Sequence, residues 1–212
     1  SYAIVWVNVS SQAMSDGKIL MYYGNPSASG VSNGEDTFLF FDDFEGTDLD
    51  MDKWYIATAD GTYDVSSSIL TITGGSAAYE IIGAKTQFSP PVIFEFRAKA
   101  TEQDIIIIGF DDRSATGDYI GSGRDRATWQ YATEKRFKIE HENSATILSR
   151  TTDISSFKKL KIVWTSSEVQ FFEDNTLITT CETDIPTDPG GARFEAKGSS
   201  THVYCDYVFV LS

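Results

Sequence analysis

The stretch KKLKIVWTSSEVQFFEDNTLITT, Lys158–Thr180, decides the fold class of this chain. It divides into three runs rich in apolar, β-branched and aromatic residues, separated by the dipeptides Ser166-Ser167 and Asp174-Asn175. Runs of this composition are typical of strands, and such dipeptides favour the tight turns of β-hairpins. The stretch therefore predicts three consecutive antiparallel strands.

The same pattern of short strands and turns extends over most of the 212 residues. The apolar run Ile105–Ile108 is too short for a helix and wholly β-branched, so it predicts a buried strand. Helix is predicted only as single turns, at Leu49–Trp54 and Ile154–Lys159. The expected fold class is all-β, an antiparallel β-sandwich. The remaining predicted strands are Thr37–Phe41, Thr62–Val65, Ile69–Thr73, Ala78–Ile82, Val92–Ala100, Ile105–Asp111, Tyr119–Ile120, Ala127–Thr133, Arg136–His141, Ala145–Arg150, Ala192–Ala196 and Val203–Leu211.

The N-terminal residues predict a separate small segment. Ala3–Val9 and Lys18–Gly24 face each other across a Ser-Asp-Gly turn, which favours a β-hairpin. The Ser, Gly and Asn residues of Ser27–Asp36 indicate a linker. We therefore expect a hairpin and linker over residues 1–36 and a sandwich domain over residues 37–212. The hairpin either packs on the sandwich or adds a strand to another copy of the chain.

Composition excludes several classes of partner. The formal net charge of -14 repels nucleic-acid phosphates and anionic lipids, and no apolar run approaches the roughly twenty residues of a membrane helix. Neither nucleic-acid binding nor membrane insertion is expected. Cys181 and Cys205 leave two alternatives open, one disulfide or two buried free thiols.

Five motifs carry a resemblance to known families. WVNVS (Trp6–Ser10) and MYYGNPSASG (Met21–Gly30) resemble the end of an uncharacterised domain of secreted and cell-surface prokaryotic proteins. FDDFEGTDLDMDKW (Phe41–Trp54) is similar to the first strand of concanavalin A-like lectin/glucanase domains, laminarinase-type and laminin-G-like members included. VQFFEDNTLITT (Val169–Thr180) and CDYVFV (Cys205–Val210) resemble the closing strands of that superfamily.

The resemblance implies a concanavalin A-like jelly roll with one concave sheet and carbohydrate recognition as its commonest function. Laminarinase-type enzymes carry the pattern ExDxxE, which supplies the two carboxyl groups of a retaining hydrolysis. This sequence has no ExDxxE. We therefore expect no enzyme and no catalytic residues.

The resemblance also implies a structural calcium ion, held between the first strand, a loop carbonyl and an aspartate of the final strand. By position these ligands are Asp43, Gly75 and Asp206, and hard oxygen ligands suit Ca²⁺. The alternative is that Asp42 and Asp43 only solvate a strand edge while Asp206 accepts backbone hydrogen bonds.

A sugar site requires aromatic faces and planar polar groups that bond to hydroxyls. The candidates cluster around the strand Ala127–Thr133 and its preceding loop. Trp129 is equally compatible with a place in the core, and Trp164, which alternates with Ile162, is expected there. Glu140 could join this cluster from a neighbouring strand of the same sheet. The predicted ligand-binding residues are Arg97, Asp111, Arg113, Tyr119, Arg124, Trp129 and Tyr131.

Together these features predict an extracellular, cell-surface module that binds carbohydrate or mediates adhesion without catalysis, with calcium as cofactor. Its partners would be a cell-surface glycan, and also other copies of the chain or the rest of a longer surface protein. One alternative is a structural or assembly module without a sugar site. Another is a glycoside hydrolase or lyase.

Overall fold

The computed structural model describes residues 5–9, 15, 17–21, 23–30, 32–58, 60–101, 104–112, 123–132, 134–142 and 144–212. These residues form a short helix, α1 (Gly34–Thr37), and fifteen strands. None of the described helical segments has the length and apolar character needed to cross a bilayer. The strands are β1 (Phe40–Asp42), β2 (Trp54–Thr58), β3 (Thr62–Ser66), β4 (Ile69–Thr73), β5 (Glu80–Ala84), β6 (Val92–Ala100), β7 (Ile105–Asp111), β8 (Arg126–Tyr131), β9 (Lys135–His141), β10 (Ser144–Ser149), β11 (Lys158–Trp164), β12 (Val169–Glu173), β13 (Thr176–Cys181), β14 (Gly191–Lys197) and β15 (His202–Leu211).

The strands make two antiparallel sheets. The eight-stranded sheet has the order β13-β12-β11-β6-β15-β4-β3, with β1 also paired to β15. The seven-stranded sheet has the order β10-β9-β8-β7-β14-β5-β2. The fold class predicted from the sequence is confirmed.

The core lies between the inner faces of the two sheets. Because side chains alternate along a strand, every second residue of β6, β7 and β11 points inward. Phe110 of β7 stacks on Trp164 of β11 with ring centroids 4.4 Å apart, and the Trp164 indole donates to the Pro186 carbonyl at 3.1 Å. Trp164 therefore lies in the core, as expected.

The turn Asp174-Asn175 forms as the sequence predicts. Both residues have positive φ values, 48° and 67°, and they connect β12 directly to β13. Asp and Asn tolerate this left-handed conformation, which the two-residue turns of hairpins require.

The N-terminal hairpin prediction is wrong for the residues that are described. Residues 5–9 and 17–21 contain no strand. Trp6 instead contacts Phe38 and Phe209, with ring centroids 5.9 and 5.3 Å away. The segment is thus held by aromatic contacts, and α1 occupies the end of the predicted linker.

One strand of the structure was not predicted, and one predicted strand cannot be compared with it. The strand β2 is missing from the sequence prediction, which ends a single helical turn at Trp54, the residue where β2 begins. The predicted strand Tyr119–Ile120 lies outside the described residues.

Cys181 and Cys205 are buried free thiols. Cys181 lies on β13 and Cys205 on β15, four strands apart in the eight-stranded sheet. At about 4.8 Å per strand, their Cα atoms are on the order of 19 Å apart, which a disulfide cannot span.

Candidate functional site

Charged side chains collect on the outer face of the seven-stranded sheet, away from the core. On β14, Phe194 points into the core while Arg193 and Glu195 point outward. On β7, Phe110 points inward and Asp111 outward. The two strands are neighbours, so their outward residues lie on one surface.

Arg124 links the two acids of this surface. Its Nη2 donates to Asp111 Oδ2 at 2.6 Å and to Glu195 Oε1 at 3.2 Å, and its Nε donates to Asp111 Oδ2 at 2.8 Å. Arg193 contacts the same acids, with Nε donating to Glu195 Oε1 at 2.6 Å and Nη1 lying 3.7 Å from Asp111 Oδ1. Two arginines thus hold two carboxylates in a fixed arrangement.

The arrangement is buried and supported from the sheet edge. The Arg193 side chain is only 2% exposed, and its Nη1 donates to the Tyr55 hydroxyl at 2.8 Å. Gly83 of β5 lies between them, paired with Arg193 on one side and with Tyr55 on the other. A Cβ atom at this position would lie 2.3 Å from Tyr55 Cζ, so only glycine leaves room for the Tyr55 ring. Burial lowers the pKa of Arg193, but Glu195 and Asp111 outweigh it and raise that pKa.

A second charged group lies next to the first, on β8 and β9. Arg126 Nε and Lys138 Nζ lie 2.6 and 3.0 Å from Glu140 Oε2. Burial, followed by the charge of Arg124, lowers the pKa of Arg126. Burial, followed by the charge of Arg126, lowers the pKa of Lys138. Positive charges therefore crowd this part of the sheet.

A cavity of about 210 Å³ opens between these groups, and we call it the arginine cleft. Its isoleucines, Ile81, Ile105 and Ile107, come from the outer faces of β5 and β7 and give it apolar surface. Arg136 Nε donates to the Gln130 side-chain oxygen at 3.2 Å. This hydrogen bond fixes the guanidinium group and the amide group, two planar polar groups of the cleft. The polar and aromatic lining residues are Tyr79, Arg124, Arg126, Gln130, Arg136 and Glu195.

Two buried aspartates beside the cleft have opposite environments. Asp125 accepts hydrogen bonds from the backbone N–H groups of Asp188, Glu142 and Thr187, and these outweigh burial and lower its pKa. Neither carboxyl oxygen of Asp112 has a hydrogen-bond partner within the described part of the chain. Burial raises the pKa of Asp112 to about 6.

The structure brings together only some of the residues predicted to bind a ligand. Asp111 and Arg124 are in direct contact, and Glu140 lies nearby on β9. Arg113 and Tyr119 lie outside the described residues.

The aromatic candidates do not lie on the outer face. Trp129 is fully buried in the core, 5.0 Å from Phe171 and 6.1 Å from Phe137 between ring centroids, and Tyr131 packs against the same core. The reason is the alternation of β8, which points Thr128 and Gln130 outward and their neighbours inward.

Arg97 belongs to the other sheet. It lies on β6, forms an ion pair with Asp206, and places its guanidinium carbon 4.8 Å from the centroid of the Phe157 ring. It therefore takes no part in the arginine cleft.

The three predicted calcium ligands do not form one site. The Asp206 carboxylate pairs with Arg97, and the Gly75 carbonyl accepts from the Gly198 N–H at 2.8 Å. The strand β15 shows how far apart Asp43 and Gly75 lie. Asp43 lines the same cavity as Tyr207 of β15. Gly75 comes just after Thr73, which pairs with His202 at the start of β15. His202 and Tyr207 are five positions apart on β15, which corresponds to a distance on the order of 16 Å.

Among the described residues, no three His, Cys, Asp or Glu side chains are placed to share an ion. Calcium binding stays a prediction. Melting temperatures measured in calcium and in chelator test it.

Sequence reasoning missed Arg193 and Glu195. Their signal was the pattern GARFEAK, in which two opposite charges two residues apart alternate with inward-facing residues. Alternation shows that these side chains share a face. It does not show that β14 lies beside β7, which comes much earlier in the chain.

Comparison with solved structures identifies the architecture. The β-glucanase of Bacillus licheniformis is 14% identical with a TM-score of 0.64, and the match covers 82% of this chain and 97% of the glucanase. The fold is that of the jelly-roll glucanases. The endo-β-1,3-glucanase of Pyrococcus furiosus is 13% identical, with a TM-score of 0.62 and coverage of 82% and 93%. LamAcat of Zobellia galactanivorans is 17% identical, with a TM-score of 0.60 and coverage of 85% and 100%.

Sequence comparison adds one family. The model of DUF2341, a domain of unknown function, matches residues 1–57, which agrees with the resemblance seen at the N-terminus and extends through β1 into β2. The comparison with curated proteins finds no match.

The structural neighbours overturn the expectation that this chain is not an enzyme. That expectation rested on the missing ExDxxE pattern, yet several neighbours are β-1,3- or β-1,3-1,4-glucanases of the same fold. At this level of identity the likeness shows the fold alone. The absence of one motif therefore does not remove glycoside hydrolysis from consideration.

Proposed function

We propose that this protein is a carbohydrate-active domain that binds a polysaccharide in the arginine cleft. The observation that carries the proposal is the cleft itself, in which fixed guanidinium and amide groups surround an isoleucine surface on the outer face of a jelly-roll sheet. Pyranose rings present apolar C–H faces and hydroxyl groups, and this combination of surfaces complements both. The glucanase neighbours support carbohydrate as the ligand class.

The charges of the cleft favour a polysaccharide that carries carboxylate or sulfate groups. Three arginines and one glutamate line it, although the chain as a whole has a net charge of -14. Guanidinium groups bind planar carboxylates and sulfate-type anions through paired N–H donors. We therefore expect uronate-containing or sulfated polymers to bind more tightly than neutral glucans.

Affinity electrophoresis in gels containing pectate, alginate, carrageenan or laminarin tests the binding proposal. Arg136→Gln should reduce the retardation by an anionic polymer by at least about fivefold, because a bidentate charged contact is worth more than about 1 kcal/mol. Arg97→Gln, on the outer face of the other sheet, is the matched control and should behave as wild type. Equal retardation of the two variants, or no retardation of the wild type by any polymer, would contradict the proposal.

Glycoside hydrolysis is a second candidate, favoured by the spacing of Asp111 and Glu195. Both accept from the same Nη2 of Arg124, so their nearest oxygens are no more than about 6 Å apart, close to the ~5–5.5 Å of retaining glycosidases. Both carboxyl groups accept hydrogen bonds from arginines, an arrangement that suits a nucleophile more than a general acid. Hydrolysis would therefore require Asp111 or Glu195 to gain a proton when substrate displaces Arg124.

Release of reducing ends from the polymers that bind tests this candidate. Asp111→Asn and Glu195→Gln should each lower any activity at least about 100-fold, the scale expected when a nucleophile or acid is lost. Glu182→Gln, at an exposed position, should leave it unchanged. Binding without release of reducing ends in the wild type would reject hydrolysis and retain the binding proposal.

A further inference from the structure

A larger cavity, of about 510 Å³, lies on the outer face of the eight-stranded sheet. Side chains from β1, β6, β11 and β15 meet there, together with Trp6 and Phe38. We call it the aromatic pocket, because five of its lining residues carry aromatic rings. Its volume falls within the roughly 300–1,000 Å³ of small-molecule sites. The aromatic residues are Trp6, Phe38, Phe41, Tyr207 and Phe209.

The rings support one another, so the pocket is preformed. Phe38 stacks on Phe209 with centroids 4.4 Å apart, and Trp6 stands edge-on to Phe209 at 5.3 Å. Phe41 stacks on Phe38 at 5.6 Å. A ligand would therefore find rings that are already ordered and lose little affinity to reorganisation.

Four charged side chains line this pocket, Asp43, Glu95, Lys159 and Lys161, and of these only Glu95 is buried. It is 5% exposed, and its Oε1 accepts a hydrogen bond from the Tyr207 hydroxyl at 3.0 Å. Lys161 lies directly opposite in register, yet its Nζ is turned over the Phe172 ring, 4.4 Å from the centroid. No described lysine or arginine forms an ion pair with Glu95.

A buried carboxylate without an ion pair is costly even when it accepts one hydrogen bond, and a ligand that brings positive charge would offset that cost. Aromatic rings also attract cations through their faces. The net charge of -14 draws cations toward the protein at long range. We infer that the aromatic pocket binds a small organic cation, an ammonium group on an aromatic or alkyl body, with the ammonium against Glu95.

This site is independent of the proposed function. It lies on the opposite sheet from the arginine cleft and has the opposite preference for charge. Lys159 and Lys161 also line the pocket and oppose a cation, which gives the inference a specific test. Removing either lysine charge should strengthen binding of a cation, whereas a purely structural pocket would show no such change.

Titration with phenethylammonium, compared with neutral 2-phenylethanol, tests the inference. Trp6 is 50% exposed while Trp54, Trp129 and Trp164 are fully buried, so the emission that acrylamide can quench reports on Trp6. We expect saturable protection by phenethylammonium, at least about tenfold weaker binding of 2-phenylethanol, and weakening with added salt. Equal affinity for the two probes, or no saturable protection, would overturn the inference.

Two charge variants complete the test. Glu95→Gln should lose the preference for phenethylammonium over 2-phenylethanol, and Lys161→Gln should tighten binding of the cation about two- to threefold, the scale of one partly exposed charge. Glu182→Gln is the matched control for loss of one acid. If Glu95→Gln does not fold, Lys161→Gln decides alone, and unchanged or weaker cation binding in that variant would overturn the inference.

Discussion

At the scale of single residues, the Asp112 carboxyl group is fully buried and neither of its oxygens has a hydrogen-bond partner among the described residues. Burial raises its pKa to about 6, above the 3.8 of an ordinary aspartate. The folded state therefore holds its proton more tightly than the unfolded state, so stability falls as pH rises between these values and the penalty is complete above the folded pKa. We expect Asp112→Asn to raise the free energy of unfolding at pH 8 by about 1–3 kcal/mol.

Urea unfolding at pH 8 and at pH 3 measures this effect. At pH 3 both states of the wild type carry the proton, so the variant should show little or no gain there. A gain of equal size at both pH values would mean that ionisation of Asp112 is not its cause.

Asp125 supplies the opposite residue-scale prediction. Its backbone N–H donors lower its pKa, so its charge stabilises the folded state above the ordinary pKa and that contribution is lost as pH falls through the lowered value. Asp125→Asn should reduce the free energy of unfolding at pH 8 by about 1–3 kcal/mol, since three N–H groups lose a charged acceptor. Urea unfolding at pH 8 measures the loss, and an unchanged midpoint would contradict it.

At the scale of elements, the contact of β7 with β8 depends on Gly109. A Cβ at this position would lie 2.2 Å from the Ala127 carbonyl oxygen, so the two strands could not keep their separation. Gly109→Ala should lower the free energy of unfolding by about 2 kcal/mol or more. Gly30→Ala is the matched control, because nothing lies within 4 Å of the position that its added methyl group would take. Equal unfolding midpoints for the two variants would contradict the prediction.

The elements also show how far sequence reasoning reaches. The strands of Lys158–Thr180 were predicted with their turns, because composition and turn residues are local signals. The inward orientation of Trp129 stayed undecided, because Trp129 lies on the inner face only by the register of β8 with β7 and β9. The pairing of Asp111 with Glu195 through Arg124 joins residues far apart in the chain, and no local pattern reports it.

At the scale of the whole molecule, net charge opposes folding. With 31 acidic and 17 basic residues, the folded chain concentrates a formal charge of -14. Compact states with large net charge are destabilised by self-repulsion, and salt screens it over a Debye length of about 10 Å at 0.1 M. We expect the melting temperature at pH 8 to rise between about 10 and 300 mM sodium chloride.

Differential scanning calorimetry over that salt range checks the prediction. Repeating the scans near pH 5 is the control, because fewer carboxylates are then ionised and the salt dependence should be smaller. A melting temperature that falls with salt at pH 8 would show that screened ion pairs, and not net repulsion, dominate.

Because the two thiols are buried, the rate at which each is alkylated reports on how the eight-stranded sheet opens. Cys181 and Cys205 lie under side chains of the eight-stranded sheet, and burial raises the pKa of Cys205 well above its usual range. Since thiolates are the reactive form, alkylation must wait for an opening of the sheet. Cys181 lies on an edge strand and Cys205 on an interior one, so the order in which iodoacetamide modifies them records whether the sheet frays from its edge or opens all at once.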